Sequence, residues 1–268
     1  PHSSQTEQDS RLMARLGKVP VLDPGSPNEA REMIKTAFEI SEEFQVPVMV
    51  RPAIRVCHAR QNIKYGRLKS NLTKADFKRE PTRWASTPKF RFLQHKALNE
   101  KHIRISEKFN TLTPYNQHNL KNGKSYPFGV VAGGVPFCVI RELIEEFERT
   151  DVPVLKLGAP YPFPEKLADE FMDACDKVLV IEETDTVIEF MLRDKHKTLG
   201  RLSGHVPMEG ELVPEKIEGV LNKALLECGQ SPLSDYDCGQ EAFSLVGELA
   251  LPIRKPTLCP GCPHRASF

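Results

Sequence analysis

Residues 128–183 read FGVVAGGVPFCVIRELIEEFERTDVPVLKLGAPYPFPEKLADEFMDACDKVLVIEE, and this stretch decides the fold. The apolar runs Val130–Ala132, Val152–Leu157 and Val178–Ile181 are continuous, not alternating, as strands covered on both faces should be. Helical patterns lie between and after them, at Phe137–Arg149, Pro164–Cys175, near Thr186–Arg193 and at Pro214–Glu227. Strands and helices alternating at this interval predict an open, doubly wound parallel sheet of the α/β class.

Toward the N-terminus, NEAREMIKTAFEISEEFQ (28–45) places Ala30, Met33, Ile34, Ala37, Ile40 and Phe44 at helical spacing, with Asn28 as the cap after Pro27. The helix runs into Val46–Val50, ended by Arg51-Pro52, and a similar short run, Val19–Leu22, precedes it. A strand–helix–strand unit results. One such unit cannot bury both faces of its sheet, so the first 55 residues read as the end of a domain and the chain as starting within one. Toward the C-terminus, residues 229–258 read as a linker rich in Gly and Pro, followed by CPGCPHR.

The chain's 268 residues, 40% hydrophobic and 27% charged, suffice for one or two cores. No run approaches the roughly 20 apolar residues that span a bilayer, and Pro1–Arg11 lacks a secretory signal's hydrophobic stretch. A cytoplasmic protein without membrane contact is expected. Seven cysteines, an odd number, argue for free thiols. Net charge is only +1, yet residues 55–124 hold 17 Lys or Arg against 4 Asp or Glu. Such a stretch can serve nucleic acid or an acidic partner, or form a solvated arm around a helix at Pro88–Phe109. It carries no aromatic-studded recognition motif, so nucleic acid is not expected.

His2, Ser3, Ser4, Gln5, Glu7 and Gln8 form a dense polar cluster suited to a carboxylate or diphosphate oxygen. The plainer reading is a capping box with Ser4 and Glu7. Cys259 and Cys262 have the spacing that lets two sulfurs reach one metal, with Pro260-Gly261 as the turn between them. Such a site needs further ligands; otherwise the pair simply turns the chain. Gly133-Gly134 reads as a plain strand-to-helix turn, and Glu182, Glu183 and Asp185 as solvated turn acids at a strand's carboxyl end.

Three passages together resemble the large subunit of indolepyruvate:ferredoxin oxidoreductase, a thiamine-diphosphate-dependent 2-oxoacid:ferredoxin oxidoreductase family. They are HSSQTEQDSR (2–11), LKLGAPYPFPEKL with VLVIEETD (155–185), and LCPGCPHR (258–265). VPVMVRP and RFLQHKALNEKH are similar to that family too. The resemblance implies an internal fragment. It comprises the end of a pyrimidine-binding domain (1–58), a basic helical linker (59–124), a transketolase C-terminal-like domain (125–228), and a linker with the start of a pyrophosphate-binding domain (229–268).

The resemblance also implies oxidative decarboxylation of an aryl pyruvate with coenzyme A and ferredoxin, in an enzyme with a small beta subunit. The complete enzyme would hold thiamine diphosphate, Mg²⁺ and [4Fe–4S] clusters; this chain alone is expected to bind none and to be inactive. His2 to Gln5, Glu7 and Gln8 would line the substrate side of the cofactor cleft. His264 and Arg265 would face the diphosphate, and Cys259 and Cys262 would ligate a cluster or turn the chain. The competing reading is a non-catalytic module using the 55–124 arm on nucleic acid or an acidic partner.

Overall fold

The computed structural model describes residues 7–66, 78–234, 244–249 and 252. In chain order the elements are α1 (Ser10–Gly17), β1 (Val21–Leu22), α2 (Pro27–Phe44), β2 (Met49–Val50), α3 (Ile54–His58), α4 (Pro81–Trp84), α5 (Pro88–Phe109), β3 (Asn116–His118), β4 (Tyr126–Ala132), α6 (Gly134–Glu146), β5 (Val154–Leu157), α7 (Glu165–Ala174), β6 (Cys175–Ile181), α8 (Ile188–Met191), β7 (Thr198–Leu199) and α9 (Pro214–Glu227). They form one unit, Pro1–Leu233. In a second unit, Ser234–Phe268, residues 244–248 make a helical turn.

The main sheet has the order β3-β5-β4-β6-β7. Strand β4 pairs in parallel with both β5 and β6, and β6 with β7. Its faces are covered separately. Phe128, Val130, Ala132, Leu179 and Ile181 pack with Ile140 of α6 and Ile217, Leu221 and Leu225 of α9. Val131, Leu155, Leu157, Val178 and Val180 point the other way, onto Ala168, Phe171 and Met172 of α7 and Ile188 of α8. Consecutive strand residues serve opposite cores, which is why the runs are continuously apolar. Burying each large side chain contributes about 1.5–3 kcal/mol.

The doubly wound α/β architecture matches the sequence expectation, with one addition: edge strand β3 runs antiparallel to β5. Its sequence, Asn116-Gln117-His118, carries no apolar signal. Asn116 is buried and holds the edge by its side chain, accepting from Ala159 N at 2.8 Å and donating to the carbonyls of Phe109 and Ala159.

The strand–helix–strand unit is present as β1–α2–β2, with the two strands parallel. The helix cap is Ser26, not Asn28: the Ser26 hydroxyl accepts from Glu29 N, and Pro27 takes the first helical position, where its missing N–H is harmless. The apolar side of α2 (Met33, Ala37, Ile40, Phe44) forms a third core with Leu22, with Ile105 and Phe109 of α5, and with Tyr115 and Ala159. Sequence distant from the unit thus covers it. Helix α5 has the expected bounds, whereas α8 keeps only four residues of the expected 186–193 helix.

Candidate functional site

Three strands end in charge: Leu22-Asp23, Val50-Arg51 and Ile181-Glu182. Their carboxyl ends meet beneath the start of α1, and the charges pair there out of water. Arg11 is fully buried and forks onto Asp9, at 2.9 Å (Nε–Oδ1) and 2.6 Å (Nη2–Oδ2). Its Nη1 lies 3.0 Å from Glu182 Oε2 and 3.7 Å from Asp23 Oδ2. Arg51 Nη1 donates to Asp23 Oδ1 at 3.2 Å and to the Glu183 carbonyl at 3.1 Å, and its Nη2 donates to Thr184 Oγ1. Glu182 accepts from the N–H groups of Val187, Ile188 and Glu189 at 2.9–3.0 Å, covering the exposed amides at the start of α8.

Asp9 joins the two sides of this arrangement. It caps α1 through Arg11 N and accepts from Thr184 N and Asp185 N at 3.0 and 2.9 Å. Burial opposes its charge, but the Arg11 hydrogen bond and charge outweigh that and lower its pKa to about 2. Burial also works against the Arg11 charge, which Glu182, Asp9 and Asp23 more than restore. Asp23 goes the other way: its burial outweighs Arg51 and Arg11, and its pKa is raised. Glu182 shifts the same way, its burial outweighing Arg11 and the three amides. Three carboxylates face two guanidiniums, and the excess negative charge falls on Asp23 and Glu182, whose pKa values are both raised.

Above the cluster opens a cleft of about 750 Å³. Gln8, Asp9, Arg51 and Thr184 give it a polar side, and Leu12, Met13 and Ile54 an apolar one. At its margin Glu183 accepts both Arg55 Nη2 bonds, at 2.7 and 2.8 Å, and Leu212 N at 2.7 Å. Glu7 accepts from Gly210 N at 3.0 Å, and this bond chiefly lowers its pKa.

Of the site residues read from sequence, Glu7 and Gln8 lie together beside this cleft. His2, Ser3, Ser4, Gln5, Cys259, Cys262, His264 and Arg265 lie outside the described residues. The capping box is replaced: α1 begins at Ser10 with Asp9 as cap, so Glu7 precedes the helix and its carboxylate is engaged by Gly210. The reading of Glu182 as a solvated turn acid is also corrected, since Glu182 is 1% exposed and bonded to Arg11 and three amides. Asp9, Arg11, Asp23 and Arg51 lie outside the sequence expectations; a charge directly after an apolar run marks Asp23 and Arg51, whereas Asp9 and Arg11 at the start of α1 carry no such signal.

The Gly133-Gly134 turn carries no phosphate cradle. A Cβ on Gly134 would sit 3.3 Å from both Asp23 carboxylate oxygens, so a fixed acid occupies the place where a phosphate would approach α6. Gly25 is held as closely, since a Cβ there would lie 2.5 Å from Gly134 O. The loop after β1 therefore packs against the carboxyl ends of β4 and β5 and the start of α6, with Asp23 N donating to the Gly158 carbonyl. Among the described residues, no three His, Cys, Asp or Glu side chains are placed to hold a metal ion. No described helix is long and apolar enough to cross a membrane.

No protein-family model matches the chain. Among solved structures, the 2-oxoglutarate:ferredoxin oxidoreductase from Magnetococcus marinus with 2-oxoglutarate, coenzyme A and succinyl-CoA bound aligns at a TM-score of 0.57. The alignment covers 83% of this chain and 45% of that one at 14% identity, a likeness of fold. The architecture is thus one found in a 2-oxoacid:ferredoxin oxidoreductase.

Sequence relatives narrow the class. Indolepyruvate oxidoreductase subunit IorA of Thermococcus kodakarensis is 34% identical over 278 residues, 99% of this chain and 42% of that subunit. IorA of Archaeoglobus fulgidus is 33% identical over 270 residues, and that of Methanothermobacter marburgensis 35% over 269. The chain spans 42% of the length of these curated relatives. Over that span it is similar to the IorA subunit of indolepyruvate oxidoreductase, and the resemblance carried by the three sequence passages is borne out.

Proposed function

We propose that this chain is part of the large subunit of an enzyme that oxidatively decarboxylates aryl pyruvates, indolepyruvate among them, to aryl-acetyl-CoA, with ferredoxin as electron acceptor. The observation that carries this reading is the 30–35% identity to IorA subunits along 99–100% of the chain. The protein would act in the cytoplasm with a small beta subunit, ferredoxin, coenzyme A and the aryl pyruvate as partners. Thiamine diphosphate with Mg²⁺ would supply the carbanion chemistry, and [4Fe–4S] clusters would take the electrons.

The described residues do not themselves fit a diphosphate and its metal. Arg51 at the cleft, Arg55 at its margin and Arg11 beneath it are all bonded to carboxylates, and both Asp9 oxygens are held by Arg11 and two backbone amides. The role assigned to them is structural: they fix the backbone at Asp9, immediately after the His2–Gln8 segment, on the end of β6. Glu7 and Gln8 would then face the substrate side of the cofactor cleft, with His264 and Arg265 toward the diphosphate. Cys259 and Cys262 remain candidate cluster ligands.

The test is anaerobic assay of the full reading frame that contains this chain, produced with its partner subunit. Ferredoxin reduction that requires both indolepyruvate and coenzyme A is expected. Its absence from an enzyme loaded with thiamine diphosphate and iron–sulfur clusters would overturn the proposal.

A further inference from the structure

Helix α4 and the first half of α5 close a separate concavity of about 1180 Å³ against the C-terminal end of α2. Among the described residues, four cations line it, Lys78, Arg83, Arg91 and Lys101, against one carboxylate, Glu42. Several exposed cations elsewhere are paired with carboxylates, Lys35 with Glu32, Lys108 with Glu43, and Arg193 with Glu165 and Asp169. Here they are not. Arg83 donates to the Gln45 side-chain oxygen and lies 4.9 Å over the Trp84 ring, while Lys101 reaches only the Gln45 carbonyl at 3.5 Å. The Lys101 pKa is lowered by burial and then by the nearby charges of Arg83 and Arg104.

Like charges gathered in a concavity raise the energy of the empty site and focus a positive potential in it. A multiply charged anion removes that cost, and guanidinium groups offer it paired donors. Trp84 adds a planar surface. It is 58% exposed, with the Arg83 guanidinium over its ring, so its fluorescence is sensitive to a change at the cations. We propose that this concavity binds a diphosphate group, carried by a nucleotide or supplied as free pyrophosphate. The site is distinct from the cleft at Gln8, and its occupancy does not depend on the activity proposed above.

Trp84 is the chain's single tryptophan, so its fluorescence reports on this concavity alone. The 268-residue protein would be titrated with ADP and with pyrophosphate, following fluorescence and heat. Saturable one-to-one binding with a Kd below about 1 mM is expected, the range of ordinary small-ligand sites. Tighter binding of ADP would identify the nucleotide as the source, and equal affinities the diphosphate alone. The exposed pair Arg91→Glu with Lys78→Glu should weaken binding about tenfold or more, whereas Lys96→Glu, on α5 outside the lining, should change it by less than about twofold. No saturation with either ligand, or an equal loss in Lys96→Glu, would overturn the proposal.

Discussion

Arg11 Nη1 lies 3.0 Å from Glu182 Oε2, with both side chains 1% exposed, so the first described helix is bonded to the carboxyl end of a central strand. Removing one member of a buried, hydrogen-bonded ion cluster leaves its partners desolvated and uncompensated. Arg11→Met should therefore cost about 3–5 kcal/mol. Chemical denaturation checks this value, and a loss below about 1 kcal/mol would show that the cluster does not hold the fold.

Asp9 makes the same contact pH-dependent. Its folded pKa of about 2 lies below its unfolded value, so its stabilising contribution is complete above the unfolded pKa of about 4 and is lost as pH falls toward 2. The ionisation is worth about 2–3 kcal/mol at neutral pH. The stability difference between wild type and Asp9→Asn, followed by urea unfolding, should be large at pH 7 and shrink steadily below about pH 4. A difference independent of pH would contradict the ionic account.

The loop after β1 offers a steric test. In Gly25→Ala the new Cβ would meet Gly134 O at 2.5 Å and Cys138 Sγ at 2.7 Å, and the first of these is backbone that cannot rotate away. A loss of about 1–3 kcal/mol is expected, as for overpacking elsewhere. Gly17→Ala is the control, since its nearest neighbour, Val19 Cγ2, would be at an ordinary 3.5 Å. Equal thermal stability of the two variants would mean that the loop is not seated against α6.

The alternation of buried strands and amphipathic helices was legible because each signal is local: Val178–Ile181 is apolar whatever lies beside it, and Pro214–Glu227 repeats at helical spacing. The antiparallel edge strand was not, because Asn116 is fixed by carbonyls of Phe109 and Ala159, which no neighbouring residue announces. In the ionic cluster only Asp23, Arg51 and Glu182 carry a local signal, a charge directly after an apolar run; their pairing was hidden for the same reason. Glu182 looks like an exposed turn acid until Arg11, far away in sequence, is brought to it by the fold. Of the candidate site, only Glu7 and Gln8 could be located, and the charged residues beneath the cleft emerged from tertiary contacts.

The most direct test of the account is a competition between substrates. The full enzyme containing this chain and its partner subunit would receive equal concentrations of indolepyruvate and 2-oxoglutarate, with coenzyme A and oxidised ferredoxin. The acyl-CoA formed would be identified by mass. The account predicts indole-3-acetyl-CoA, with carbon dioxide released and ferredoxin reduced in proportion; succinyl-CoA as the main product, or no thioester at all, would contradict it.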